Sequence, residues 1–231
     1  MLLEAGNAPI AYARAAPPPA WARWLRGHEG AVLHLPAGEG DTQAMLDGTA
    51  HWRPLVNGDS GFVPRPYARL RELLDRPLGG EPLRLLRAVG TRHVVGAGAE
   101  PLPIAASIDG ARVYDVPPGD HALVPEGGPP APTLWSAEGP TVDLGAPRAV
   151  SRIVFELDDR PWLDRPGVVT SLDGASWTPL DARASLADAT LALYLDPRHG
   201  RGAVTFAPVT ARWVRLDPRL PARPGALAAA P

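Results

Sequence analysis

The chain of 231 residues contains no cysteine and no lysine, so that all 23 of its basic residues are arginine. Without cysteine there are no disulfide bonds, no thiolate metal sites and no cysteine nucleophile. Without lysine there is no nucleotide site of the P-loop type, because that motif needs a lysine to reach the phosphates. These absences remove several of the commonest kinds of reactive centre before any motif is considered.

Charge of one sign and long hydrophobic runs are lacking as well. The formal net charge is −2, which predicts neither a nucleic-acid partner nor attraction to an anionic membrane surface. No window approaches the roughly 20 apolar residues of a membrane helix, and Met1-Leu-Leu-Glu-Ala-Gly6 lacks the basic and then apolar pattern of a secretory signal. If Met1 begins a free-standing protein, we therefore expect a cytoplasmic one.

The first half of the chain alternates between strand and helix patterns. Residues 1–30 predict a proline-rich lead-in with a short helix, on which Trp21, Trp24 and Leu25 share a face. Residues 31–116 predict a small α/β domain. Its predicted strands are 31–35, 54–56, 92–95 and 111–116, and its predicted helices are 41–47, 66–76 and 82–89.

The second half has a different pattern. Residues 117–132 are rich in Pro and Gly, which predicts a linker. From residue 133 to 217 no helical periodicity remains, and β-rich segments recur about every 8–12 residues, which predicts an all-β sandwich. Residues 218–231 predict a flexible tail.

The strongest local signal is the pair Asp173-Gly174 within residues 168–180, where it separates two alternating apolar runs. This pattern predicts a tight β-hairpin. Three tryptophans also follow strand patterns and are predicted to lie in the core: Trp135, Trp177 and Trp213.

Three segments of the second half share a pattern with a known family: Thr141-Val-Asp-Leu-Gly145, the Ser-x-Asp-Gly-x-x-Trp segment from Ser171 to Trp177, and Ala211-Arg-Trp-Val-Arg215. Together they resemble the discoidin domain, also called the coagulation-factor C-type or galactose-binding-like domain. Over residues 133–217 the resemblance implies a jelly-roll β-sandwich. It also implies a module that binds a ligand rather than one that catalyses a reaction.

A second pattern lies in the first half, in the loop His51-Trp-Arg-Pro-Leu-Val-Asn-Gly58, in Ser60-Gly-Phe62 and in the unit from Leu85 to Val95. Residues 2–116 resemble the extracytoplasmic region that follows the last membrane helices of bacterial polytopic glycosyltransferase-like proteins, the C-type transferases that use lipid-phosphate sugars. The catalytic acidic residues of that family lie between membrane helices, and no segment here corresponds to them. The resemblance thus implies an accessory region on the extracytoplasmic face, with a lipid-linked sugar or a membrane-embedded transferase portion as partner.

The densest polar cluster of the sequence consists of His51, Arg53, Asn57 and Asp59. Such a loop is suited to hydrogen-bond hydroxyl groups or a phosphate, with arginine as a two-pronged donor. The structural alternative is a loop in which these groups bond the backbone, with Asn57-Gly58 in a turn and with Trp52 and Phe62 in the core.

A second candidate site lies in the predicted sandwich. Trp162 stands between Arg160 and Arg165, and His199 and Arg201 belong to a later loop. An aromatic ring with neighbouring arginines is what a sugar requires, because the ring stacks on the sugar and the arginines hydrogen-bond its hydroxyls.

The sequence therefore predicts a non-catalytic accessory or carbohydrate-binding region, without metal or other cofactor. The six histidines lack the spacing of a helix or strand metal site. One alternative is an enzyme with a site at His51, Asn57 and Asp59, targeted by the sandwich. Another is a structural module that docks onto a protein through an exposed apolar patch, for which Trp21 and Trp24 are the candidates.

Overall fold

The computed structural model describes residues 16–58, 61, 63–157, 166–217 and 223–224. It has mixed α/β content, with helices and two mostly antiparallel sheets, as the sequence predicts. The helices are α1 (Ala20–Leu25), α2 (Asp41–His51), α3 (Arg65–Leu74), α4 (Gly80–Ala88) and α5 (Leu186–Leu195). The strands are β1 (Ala31–Leu35), β2 (Thr91–Gly96), β3 (Ile104–Ile108), β4 (Ala111–Asp115), β5 (Thr133–Ser136), β6 (Gly139–Glu156), β7 (Gly167–Ser171), β8 (Thr178–Pro179), β9 (Arg183–Ala184), β10 (Arg201–Asp217) and β11 (Arg223–Pro224).

The first sheet has the order β1-β2-β4-β3, and β1 and β2 form its parallel pair. Successive side chains of a strand point to opposite faces. Leu33 and Val94 pack toward α4 on one face, whereas Val32 and Val95 pack with Leu25 of α1 on the other. Because both faces are covered, consecutive residues in these strands are apolar, as in Val32-Leu33 and Val94-Val95, which is usual for parallel strands.

Sequence patterns located α1 to α4, β1, β2 and β4 to within a few residues, but they missed one strand and overstated another. Strand β3 pairs with β4 and was not predicted. The predicted strand at residues 54–56 is reduced to one bridge between Leu55 and Val32.

Two long strands, β6 and β10, form the centre of the second sheet and pair antiparallel along most of their length. Two register shifts interrupt their ladder, and irregularities of this kind bend a strand. Val204 and Phe206 from the first part of β10 lie in the same core cluster as Val214 and Leu216 from its last part. The bent strand pair therefore lines one core with both of its parts.

Helix α5 contradicts the prediction of an all-β second half. Its residues from Leu186 to Leu193 are all buried. Amphipathic periodicity arises when one face of a helix meets water, so a helix that is buried all round carries none. The signal that was available is the capping pattern Ser185-x-x-Asp188: the Ser185 hydroxyl oxygen accepts the Asp188 N–H at 3.1 Å.

Helix α5 packs against α3 and α4 of the first half. Their shared core contains Leu70 and Leu73 of α3, Leu85 of α4, and Leu186 and Leu191 of α5. The two halves of the chain therefore bury apolar surface against each other. The domain boundaries drawn from the sequence stay a prediction.

A buried ion pair crosses this contact. Arg84 Nη2 on α4 lies 3.3 Å from Asp188 Oδ1 on α5, and the two side chains are 10% and 1% exposed. The same guanidinium group donates to Ser185 Oγ at 3.3 Å and to the His121 carbonyl at 3.2 Å. Burial raises the pKa of Asp188, although the Leu123 N–H and Arg84 act in the opposite direction. Arg84 therefore holds α4, α5 and the segment between the sheets together.

The proline-rich segment between the sheets is bonded to α4 in its first part. Arg87 Nε donates to the Pro117 carbonyl at 2.8 Å, and Arg87 Nη1 donates to the Asp120 carbonyl at 3.1 Å. The Ala122 N–H donates to the Arg84 carbonyl at 3.0 Å. The Pro117 and Asp120 carbonyls lie outside helices and strands, and the Arg87 side chain supplies their hydrogen-bond donors.

The three tryptophans predicted to lie in the core are not buried. Trp135 is 65% exposed, and Trp177 and Trp213 are half-buried. The Arg215 guanidinium lies 4.2 Å from the Trp177 ring centroid, and that of Arg212 lies 5.4 Å from the Trp213 ring centroid. The prediction is wrong because strand alternation separates two faces without saying which face is covered.

Replacing Arg84 with alanine is expected to lower the free energy of unfolding by about 3–5 kcal/mol, because Asp188 would stay buried without its cation. Urea unfolding followed by circular dichroism measures the change. Arg112→Ala is the control, since its pair with Glu100 is more than half exposed on both sides and should contribute little. A loss for Arg84→Ala no larger than that of the control would contradict the structural role of the buried pair.

Candidate functional site

The β7–β8 hairpin borders a hollow of about 360 Å³, here called the hairpin pocket. It lies at one end of the second sheet, where β7 pairs with both β8 and β10. Its lining residues are Thr170, Ser171, Leu172, Asp173, Ser176, Thr178, Leu180, Val209 and Thr210. The pocket therefore combines hydroxyl groups, one carboxylate and aliphatic side chains.

Side chains of the loop itself determine the shape of this pocket. Asp173 Oδ1 accepts the N–H groups of Ala175 and Ser176, both at 2.8 Å. Ser171 Oγ accepts the N–H groups of Asp173 at 3.2 Å and Gly174 at 2.9 Å, and its hydroxyl donates to Asp173 Oδ1 at 2.9 Å. These hydrogen bonds, those from the Ser176 and Ala175 N–H groups above all, hold the pKa of Asp173 well below its usual range.

The predicted hairpin is present, but its turn is longer than the Asp173-Gly174 signal indicates. Thr170 pairs with Thr178, so residues 172–177 lie outside the strands. Gly174 has φ +78°, and a Cβ there would lie 3.2 Å from Trp213 Nε1. Glycine is therefore required by backbone conformation and by space, although not within a two-residue turn.

The first predicted site contains groups that the structure buries. His51 is 1% exposed and Asn57 is 2% exposed. His51 Nδ1 accepts the Arg53 N–H at 3.0 Å, and the Arg53 guanidinium donates to the Arg26 carbonyl. Asp59 lies outside the described residues. The described members of this predicted site are therefore largely occupied by backbone contacts.

Trp52, which the structural alternative placed in the core, is 76% exposed and has φ 57°. Its N–H donates to the Gly48 carbonyl at 2.9 Å, so the residue ends α2 in a left-handed conformation. That prediction is wrong, because the end of the helix turns the indole outward. Phe62 lies outside the described part of the chain.

The structure adds residues that the sequence patterns did not connect with this loop. Asn57 Oδ1 accepts the His34 N–H at 2.9 Å, and Asn57 Nδ2 donates to the His34 carbonyl at 3.0 Å and to Asp41 Oδ1 at 2.6 Å. Tyr67 also donates to Asp41. Burial alone would raise the pKa of Asp41, but the hydrogen bonds from Tyr67, the Gly38 N–H and Asn57 lower it below its usual value.

Two imidazole rings are packed together in the same region. The rings of His34 and His51 lie 6.1 Å apart between centroids, and the ring of Trp21 meets His34 edge-on at 5.3 Å. Nε2 of both histidines is buried without a hydrogen-bond partner. Burial, and then the neighbouring His51, lowers the pKa of His34 to about 4. Burial, and then Arg53, lowers the pKa of His51.

A third polar region surrounds a cleft of about 450 Å³ at the start of β2 and the end of β4. Arg92, His93 and Asp115 line it together with Glu29 and several prolines. His93 Nδ1 lies 3.0 Å from Asp115 Oδ1. Burial lowers the pKa of His93, although Asp115 opposes the shift. The cleft has charges of both signs.

Of the five residues predicted for the second candidate site, the structure describes two, His199 and Arg201. Trp162, Arg160 and Arg165 lie outside the described residues. His199 is exposed, and its N–H and its ring both contact Asp196. Arg201 is exposed at the start of β10, where it pairs with Glu156.

The described residues contain neither a candidate metal cluster nor a membrane-spanning helix. No three His, Asp or Glu side chains in that part of the chain lie close enough to hold a metal ion. None of the helices in the same part is long and apolar enough to cross a membrane.

Comparison of the chain with protein-family models, with curated proteins and with solved structures finds no match. The two family resemblances seen in the residue patterns therefore stay predictions.

Acidification is expected to destabilise the fold through the two buried histidines. Between the unfolded pKa of 6.5 and about 4, His34 binds fewer protons in the folded state than in the unfolded chain. The free energy of unfolding therefore falls as the pH falls through this window, by on the order of 2 kcal/mol for His34 between about pH 7.5 and about pH 5. Urea unfolding at about pH 7.5 and about pH 5 measures the loss, and His34→Gln should lose less than the unmodified chain. Equal losses for the two proteins would contradict this account.

Proposed function

We propose that this protein is a non-catalytic accessory region that binds carbohydrate, and that it binds in the hairpin pocket. One observation supports the proposal most directly: five hydroxyl side chains and a carboxylate share about 360 Å³ with three aliphatic side chains. A sugar ring presents hydroxyl groups at its edge and C–H groups on its faces. It therefore needs hydrogen-bonding groups and an apolar wall in the same concave site.

We also propose that the second half of the chain is a discoidin-like jelly roll. It is supported by the way β6 and β10 line one core with both of their parts, and by the Ser-x-Asp-Gly-x-x-Trp hairpin that borders the pocket. Binding residues concentrate in loops held by a rigid scaffold. The loop from Ser171 to Trp177 is such a segment, because its own side chains bond its backbone.

We also propose that the chain is related to the soluble part of membrane glycosyltransferases of the C type. The residue patterns of the first half support this relation. In that setting the region lies on the extracytoplasmic face, next to a membrane-embedded transferase portion. The ligand is then a glycan or a lipid-linked sugar.

The alternative of an enzyme with a site at His51, Asn57 and Asp59 is less well supported. Asn57 uses its amide on the backbone of His34 and on Asp41. His51 is 1% exposed. Catalytic side chains need a shared opening to the substrate. Neither His51 nor Asn57, the two described residues of this site, is open to solvent.

Thr210→Val and Thr178→Val are each expected to weaken sugar binding by about twofold to tenfold, because a neutral hydrogen bond contributes about 0.5–1.5 kcal/mol. Both residues are exposed in the pocket, and valine keeps their shape. Binding of sugars found on a glycan array is measured by nuclear magnetic resonance titration, which detects weak complexes.

Thr133→Val is the matched control, because Thr133 is an exposed threonine of the same sheet on β5, separated from β7 by β6 and β10. It should bind as the unmodified chain does. If no glycan shifts the amide signals of residues 171–176, or if the control weakens binding as much as the pocket variants do, the proposal is wrong.

A further inference from the structure

The hairpin pocket has one charged side chain among its lining residues, and that side chain is acidic. Asp173 is exposed, and no Arg or His side chain of the described chain lines the pocket with it. The low pKa of Asp173 comes from hydrogen bonds donated by Ser176, Ala175 and Ser171, without a contribution from a cation. The carboxylate is therefore ionised at any ordinary pH and has no neutralising partner among the described residues.

Two arginines of β10 near this end of the sheet are engaged elsewhere. Arg212 donates to both oxygens of Asp143, at 3.1 and 3.2 Å. Arg215 lies over the ring of Trp177, 4.2 Å from its centroid. Arg212 is thus paired with a carboxylate, and Arg215 with an aromatic ring, and neither partner is among the lining residues of the pocket.

The carboxylate of Asp173 also keeps capacity for a ligand. A carboxylate has about four acceptor positions on its two oxygens. Oδ1 takes the donors of Ala175, Ser176 and Ser171. Because these contacts fix the side chain in one position, little conformational entropy is lost when a ligand binds it.

We propose that the hairpin pocket selects saccharides that carry a free amino group, and that the Asp173 carboxylate receives their ammonium group. The surrounding hydroxyls of Thr178 and Thr210, both exposed, bond the sugar hydroxyls. This inference rests on the proposed function, because it names the class of saccharide for the same pocket.

The inference sets an order of affinities. An ammonium group forms a hydrogen-bonded ion pair with the Asp173 carboxylate, and the hydroxyl of a neutral sugar donates to that carboxylate without bringing a charge of its own. A uronic acid places a second carboxylate beside Asp173, and the two like charges repel each other. Glucosamine, glucose and glucuronic acid share one ring configuration and differ in the relevant charge. We expect their affinities to decrease in that order.

Titration of the 15N-labelled full chain with these three sugars measures the order. Glucosamine should shift the amide signals of residues 171–176 and bind at least about tenfold more tightly than glucuronic acid, the size expected for one hydrogen bond to a charged group. The difference should shrink as salt is added, because the site is exposed and its charge is screened.

Asp173→Asn is the critical variant, because asparagine keeps an acceptor oxygen for the loop N–H groups and removes the charge. It should bind glucosamine and glucose equally. Asp196→Asn is the matched control, since Asp196 Oδ1 accepts the N–H groups of Arg198 and His199 in a similar loop outside the pocket. The control should keep the preference of the unmodified chain.

The outcomes separate the two proposals. If no sugar shifts the loop amides, the proposed function fails and this inference fails with it. If sugars shift those amides but glucose binds as tightly as glucosamine, or glucuronic acid binds more tightly, the inference alone is overturned. Retention of the glucosamine preference in Asp173→Asn would also overturn it.

Discussion

The fold depends on the contact between α4 and α5, where a charged pair is kept out of water. Arg84 and Asp188 are both buried, and either one alone would be a costly unpaired charge. The other side of α5 meets the second sheet, since Ala189 and Leu193 form a cluster with Leu157 against which Phe155 of β6 packs. Helix α5 therefore packs both against the helices of the first half and against the second sheet.

Polar groups have two different roles in this molecule. Around Asn57 the amide side chain is buried and bonds the His34 backbone and Asp41, so it specifies how the loop after α2 packs against β1. Around Asp173 the polar groups are arranged in an open hollow, and the same carboxylate that shapes the loop carries an unneutralised charge. A buried network stabilises one conformation, whereas an open one with spare acceptors is available to a ligand. For this reason we place the proposed binding site at the second sheet.

Sequence patterns indicated the hairpin as a structural element but did not predict it as a binding site. The Asp173-Gly174 pair indicated a hairpin, yet the long loop follows from the bonds that Ser171 and Asp173 make with several N–H groups. Thr210 enters the pocket from β10, and no local pattern connects it with the hairpin about 35 residues earlier. His34, Asp41 and Tyr67 likewise join Asn57 only after β1, α2 and α3 have packed.

The amino-acid sequence by itself determined the helices and most of the strands of the first half, and it excluded the chemistry that needs cysteine or lysine. Apolar spacing and terminal residues specify helices and strands through contacts within a few residues. Tertiary structure alone decided that α5 is buried on all sides, that Trp135 faces solvent and that Arg84 reaches Asp188. Burial on all sides erases periodicity, and the covered face of a strand depends on residues far away in the chain. Those facts are set by long-range packing, which no short window of sequence contains.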